Sequence, residues 1–145
     1  MKYPVGSPIL DAAARLLAPL VMVFAAYVVA HGHESPGGGF QGGALFASGL
    51  ILIKLVRGDS RGWELGGTAA IAMACAGVLL FGGTGIAAIL AGGTYLDYGA
   101  IGMLDDPVVE RVVWTTAVEI GVALTVTGVI LVIFDALAAW GEVND

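Results

Sequence analysis

The segment that follows the first apolar run carries the chemically most distinctive residues of the chain. From His31 to Gly43 it reads His-Gly-His-Glu-Ser-Pro-Gly-Gly-Gly-Phe-Gln-Gly-Gly. His31, His33 and Glu34 offer imidazole and carboxylate groups that zinc accepts, but no partner ligands elsewhere in the sequence complete a metal site. A phosphate-binding loop is excluded because the Lys-Ser/Thr pair that completes it is absent. We therefore predict neither a metal nor a cofactor.

Two other interpretations of this segment remain open. In the first it is a rigid turn packed against a neighbouring subunit, since its glycines permit close backbone approach and Pro36 fixes a bend. In the second, one of its histidines relays protons near the mouth of a pathway, because imidazole titrates near physiological pH. The candidate residues of this segment are His31, His33, Pro36, Gly37, Gly38, Gly39, Phe40, Gly42 and Gly43.

One acidic residue, Glu119, lies in the middle of the last apolar run, and a second, Asp135, lies near the end of that run. An ionised carboxylate at the centre of a bilayer costs about 3 kcal/mol or more unless it is paired, protonated or hydrated. Glu119 is therefore expected to face protein. It is a candidate either for a buried hydrogen-bonded tie to a partner helix or for a place in an ion or proton path, and we predict no catalytic residue.

These residues belong to a chain whose composition is that of a membrane protein. Of its 145 residues, 58% are hydrophobic and 12% are charged, whereas soluble domains carry about 25% charged residues. A water-soluble fold could not bury so much apolar surface. No cluster of basic residues suggests nucleic-acid binding. We predict an all-α integral membrane protein in contact with the lipid bilayer.

The apolar runs predict about four transmembrane helices within a single membrane domain, with the glycine-rich segment as the loop between the first two. A cleaved signal peptide is the alternative for the first run, but further apolar runs follow it after only a short loop. Glycines after Phe81 allow a kink or a short re-entrant stretch in the third helix. The predicted spans within 1–145 are approximately 8–30, 40–56, 65–90 and 112–137.

The basic residues predict the orientation. Lys54, Arg57 and Arg61 lie between the second and third spans, and Lys2 and Arg15 lie near the amino end. Basic loops stay in the cytoplasm, and a long amine at a span end can reach the headgroups, as expected of Lys54. We therefore expect a multi-pass protein of the plasma membrane with both termini in the cytoplasm.

The motif His-Gly-His-x-x-Pro-Gly-Gly-Gly-Phe-x-Gly-Gly resembles the signature of the MnhB family, the B subunits of multisubunit (Mrp-type) sodium/proton antiporters. Val118–Val122 is similar to the Phe-Asp-Leu-Gly-Val segment of that family, and Thr94–Tyr98 resembles its outer loop. Two positions depart from the family pattern: Glu119 stands for an aspartate and Ala123 for a frequent aromatic residue. The resemblance extends from about Pro8 to Leu137.

The resemblance implies an accessory or structural subunit of a cation/proton antiporter complex that supports Na⁺ efflux coupled to H⁺ uptake, with the other subunits of that complex as partners. It implies a transporter component and not an enzyme. The pump itself is not expected here, because antiport needs a chain of ionisable groups across the membrane. Two alternatives remain: the same module in a membrane-bound hydrogenase-type complex, or a purely assembly-supporting subunit with no ion contact.

Overall fold

The computed structural model of the chain describes residues 8–32, 37–57 and 66–143. Within these ranges there are four α-helices and no strand: α1 (Pro8–Ala30), α2 (Gly38–Arg57), α3 (Gly67–Leu90) and α4 (Pro107–Val143), with a short 3₁₀-helix at Tyr98–Ala100. Each α-helix is long and apolar enough to cross a membrane. The structure confirms the prediction of an all-α membrane protein with four spans.

Local signals explain where helices begin and end. At the start of α4 the Asp106 carboxylate accepts a hydrogen bond of 2.8 Å from the backbone N–H of Val108, and Pro107 occupies the first helical position, where a missing N–H costs nothing. At the end of α3, Gly92 has φ +94° and the N–H of Gly93 donates to the carbonyl oxygen of Ala88. The left-handed conformation of Gly92 makes this hydrogen bond possible, and the bond gives a donor to a carbonyl group in the last turn of the helix.

The possible re-entrant stretch after Phe81 does not form, because α3 continues as one helix to Leu90. In lipid, every broken backbone hydrogen bond is left without a water partner, which favours an unbroken helix over the flexibility that glycine offers. Thr84 adds a hydrogen bond of 2.7 Å from its hydroxyl to the carbonyl of Phe81. The helix thus remains unbroken through its glycines.

The helices pack in the order α1, α2, α4, α3, with α4 in contact with both α2 and α3. Close approaches between α1 and α2 fix the relative direction of that pair. Gly42 lies against Val29 near the end of α1, and Gly49 lies against Met22, about two turns earlier in α1. The two helices are therefore antiparallel.

The other two helix pairs are oriented by contacts of the same kind. Gly39 at the start of α2 lies against Glu119, and Lys54 near the end of α2 contacts Asp135 near the end of α4, so α2 and α4 are parallel. Gly77 of α3 lies against Gly121 of α4. Gly128 of α4 lies against Ala70 and Ala74, which precede Gly77, so α3 and α4 are antiparallel.

Small residues at these contacts let the backbones approach closely, as is usual in membranes. With α1 antiparallel to α2 and α2 parallel to α4, the first residues of α1 and the last residues of α4 lie at the same end of the bundle. At the other end of the α2–α4 interface, α4 meets the end of α1 and the beginning of α2.

Candidate functional site: Glu119 under the glycine turn

The glycines at the junction of α1 and α2 enclose the side chain of Glu119. We call the described glycines of this junction, Gly32, Gly37, Gly38 and Gly39, the glycine turn. A Cβ atom added to Gly38 would lie 2.5 Å from the Cα of Gly32 and 2.8 Å from Oε1 of Glu119. A Cβ added to Gly32 would lie 2.5 Å from the same oxygen. A side chain at Gly38 would thus collide with backbone, whereas one at Gly32 would displace the carboxyl group of Glu119.

The next glycine along the chain contacts the backbone of α4 itself. A Cβ on Gly39 would lie 3.0 Å from the Cα of Glu119 and would also collide with its carbonyl oxygen. Gly37, just before α2, has φ +105°, a left-handed conformation that glycine adopts without strain. In the glycine turn, Gly37 thus has a conformational requirement, Gly32 and Gly38 lie close to the carboxyl group of Glu119, and Gly39 lies close to its backbone.

Glu119 is half-buried as a residue, and its Oε2 atom is shielded from solvent. The carboxyl group therefore lies in the space between the end of α1, the first turn of α2 and α4. The sequence suggested two separate candidates, a glycine-rich segment and a lone acidic residue. In the structure, Gly32, Gly38 and Gly39 of the glycine-rich segment lie against Glu119.

The contacts of Glu119 fix its position along the helix bundle. It lies level with the end of α1 and the beginning of α2. It is also about 24 Å from Asp135 along α4 at the 1.5 Å rise of an α-helix, within a hydrocarbon core of about 30 Å. α4 is 37 residues long and begins at Pro107, well before Glu119, so it extends beyond the start of α2. Glu119 is thus near one end of the span that α2 and α4 share.

His31 is held at the end of α1. Its ring stacks on Tyr27 with centroids 4.2 Å apart, and its Nδ1 lies 3.1 Å from the backbone carbonyl oxygen of Tyr27. The residue is exposed. His33 and Pro36 lie outside the described residues.

Phe40 and the last two glycines of the motif belong to α2 and not to a loop. Phe40 is 63% exposed, so it faces outward from this subunit. Gly42 is packed against α1 at Val29, and a Cβ on Gly43 would lie 2.6 Å from the carbonyl oxygen of Ala123 in α4. The carboxyl half of the motif therefore serves helix packing on two sides of α2.

The connection between α3 and α4 folds back near this site. Tyr95 lies on Gly85 and meets Phe81 edge to face with ring centroids 6.5 Å apart. Burial raises the pKa of the Tyr98 phenol, and Tyr95 and the charge of Glu119 raise it further. At neutral pH Tyr98 therefore keeps its proton.

A second polar contact joins α2 and α4 at the opposite end of their interface. The Lys54 ammonium group donates to both carboxylate oxygens of Asp135 at 2.7 and 2.8 Å, and the two side chains are 17% and 32% exposed. Lys54 was expected to be able to reach the headgroups, and in the structure its ammonium group pairs with a carboxylate on the neighbouring helix. Sequence reasoning missed this pair, although each charge interrupts an apolar run.

Comparison with known proteins assigns the family. Residues 9–132 match the family model described as a domain related to the MnhB subunit of Na⁺/H⁺ antiporter. The chain belongs to the MnhB family. It is 30% identical over 131 residues to the B subunit of the Na⁺/H⁺ antiporter of Bacillus subtilis (strain 168), a match that covers 89% of this chain and 91% of the relative.

A second relative is the B subunit of the Na⁺/H⁺ antiporter of Alkalihalophilus pseudofirmus, which is 32% identical over 133 residues, covering 86% of this chain and 87% of the relative. No solved structure matches the chain significantly. The MnhB match includes the glycine turn, Lys54 and Glu119, but it ends at residue 132. Asp135 therefore lies just beyond the matched region.

The described part of this MnhB chain brings no three His, Cys, Asp or Glu residues together as a metal site. Of the candidate metal ligands only His31 is described, and its ring is engaged with Tyr27. The chemistry that the MnhB site offers is thus that of a carboxylic acid enclosed by backbone. Such a group can hold hydrogen bonds across a helix junction or exchange a proton.

Proposed function

We propose that this chain is an accessory membrane subunit of a multisubunit cation/proton antiporter and supports Na⁺ efflux coupled to H⁺ uptake. The observation that carries the proposal is the family match over most of the chain together with relatives named as B subunits of Na⁺/H⁺ antiporters. The proposed location is the plasma membrane, with the other antiporter subunits as partners.

An accessory role is supported by the distribution of charge in the described helices. Along the interface of α2 and α4, Glu119 lies at one end and the Lys54–Asp135 pair at the other. The separation of about 24 Å follows from the helix rise, and it is far longer than a hydrogen bond of about 3 Å. A proton could not pass between these groups without carriers from elsewhere, such as other subunits.

Within this role we propose that Glu119 acts first as a tie that holds the glycine turn and α4 together. Three glycines lie against its side chain or backbone, which is the packing expected of a structural junction. A proton relay at Glu119 is the competing mechanism. It would need a continuation from a partner chain of the complex.

Co-purification tests the proposed complex. When the tagged chain is extracted in mild detergent, we expect the larger antiporter subunits to be recovered with it, and everted vesicles containing the complex should show Na⁺-dependent proton movement that is lost on deletion of this chain. A strain that expresses the complex without the tag is the control. Recovery of hydrogenase-type subunits instead would overturn the antiporter assignment.

The proposed orientation predicts the labelling of a single introduced cysteine. In a Cys75→Ser background, Ser60→Cys should react with an impermeant thiol reagent only after the cells are opened, because the basic residues around it favour the cytoplasm. Gly102→Cys, in the connection between α3 and α4, is the matched control and should react in intact cells. Labelling of the Ser60→Cys variant from outside would invert the topology.

A further inference from the structure

The interface between α2 and α4 has a repeating pattern of small residues that does not by itself fix how far one helix is shifted along the other. Gly39 and Gly43 of α2 face Glu119 and Ala123 of α4, and Thr127 follows one helical turn later. If α2 slid by one turn, about 5.4 Å, Gly39 would face Ala123 and Gly43 would face Thr127. In this shifted arrangement the two glycines of α2 would still face small side chains of α4.

One polar contact near the middle of the interface leaves the same ambiguity. The Thr127 hydroxyl lies 2.9 Å from the carbonyl oxygen of Gly43 and 2.7 Å from that of Ala123 in its own helix. It can donate to either oxygen, so its hydrogen bond survives a shift of α2. Because every residue of α2 has a backbone carbonyl oxygen, this hydrogen bond does not fix the position of α2 along α4.

The Lys54–Asp135 pair is different, because it depends on two particular side chains. Its oxygen and nitrogen atoms lie 2.7 Å apart, and neither side chain is open to solvent over most of its surface. The slide of about 5.4 Å described above would bring Asp135 level with Leu50 and Lys54 level with Ala139, so the two charges would separate. Single polar residues in helix interfaces are known to select register in this way, at some cost in stability.

We propose that the Lys54–Asp135 ion pair selects the axial register of α2 and α4 in which the glycine turn lies over Glu119, so that both residues are positioning residues for that site. The pair acts at a distance through two rigid helices. Small residues set how closely the helices approach, and the ion pair sets where along their length they meet. The inference rests on the proposed function only where the test below measures transport; its cross-linking measurement does not depend on that function.

Cross-linking measures the register directly. In a Cys75→Ser background, Leu50→Cys and Leu131→Cys form the pair for the native register, since both leucines belong to one buried cluster. Phe46 packs against the same cluster, so Phe46→Cys with Leu131→Cys already gives some product in the native register, and a slide of one turn should increase that product relative to the unaltered ion pair. A short bifunctional thiol reagent is applied to the purified complex, and the ratio of the two cross-linked products is the readout.

Three variants of the pair separate register from charge. The neutral double variant Lys54→Met/Asp135→Asn leaves no stranded charge, so it should fold, but its ratio of native to shifted cross-linking should fall and transport should fall with it. The exchanged variant Lys54→Asp/Asp135→Lys restores an ion pair and should recover both readouts. The conservative variant Lys54→Arg should keep them.

The two readouts distinguish failure of this inference from failure of the proposed function. A neutral double variant with the native cross-linking ratio would overturn the register proposal whatever happens to transport. A changed ratio with recovery in the exchanged variant supports it, even if the transported ion differs from the one proposed. An exchanged variant that remains shifted would also overturn it, because a restored pair would then not select the register.

Discussion

Replacing Glu119 by glutamine is expected to leave the complex assembled and active, whereas replacing it by alanine is expected to abolish assembly. Glutamine keeps the length and hydrogen-bonding ability of the side chain and removes only the titratable proton. Alanine removes the group that fills the space under Gly32 and Gly38 and strands any buried polar atom that depends on it, at a cost of about 1–3 kcal/mol per group. Recovery of partner subunits and Na⁺-dependent proton movement in everted vesicles are the measurements.

The same two variants give the opposite pattern if Glu119 relays protons. Both should then assemble, and both should fail to transport, because neither glutamine nor alanine can exchange a proton near neutral pH. An assembled but inactive glutamine variant would therefore reject the tie. Glu119→Asp introduces the residue that the family pattern led us to expect here. It is a useful third variant because it keeps the carboxylic acid and shortens the side chain.

The second large effect is expected at Gly39, where valine should prevent normal assembly. A Cβ there would lie 3.0 Å from the Cα of Glu119, and the obstacle is the backbone of α4, which cannot rotate aside as a side chain can. Overpacking of this kind typically costs about 1–3 kcal/mol, and separation of α2 from α4 would add to it. Yield of the intact complex after detergent extraction is the measurement.

Gly83→Val is the matched control for Gly39→Val, since a Cβ at Gly83 meets nothing within 4 Å. His31→Ala is the second comparison and should reduce the yield less than Gly39→Val, because His31 is exposed and its described contacts are with Tyr27 of its own helix. Normal recovery of the Gly39→Val complex would show that close approach at this junction is not what the motif provides.

The two charged sites of the α2–α4 interface differ in how far sequence could anticipate them. Glu119 was identifiable because it stands alone in a long apolar run. Lys54 and Asp135 were each noticed as charges near span ends, but their pairing was not, since a sequence of apolar runs does not tell which helices are neighbours. The direction of packing decides it: α2 and α4 run parallel, so the ends of both helices meet.

The sequence by itself determined that the chain crosses a membrane about four times, because the hydrophobic content and the lengths of the apolar runs leave no soluble alternative. It also supplied the glycine motif and the isolated Glu119 as candidates. Only the tertiary structure decided that Gly32, Gly38 and Gly39 lie against Glu119, that this site lies near one end of the shared span, and that Lys54 binds Asp135. These facts depend on helix order, direction and axial register, which arise from contacts between residues far apart in the chain and leave no periodic signal in any one segment.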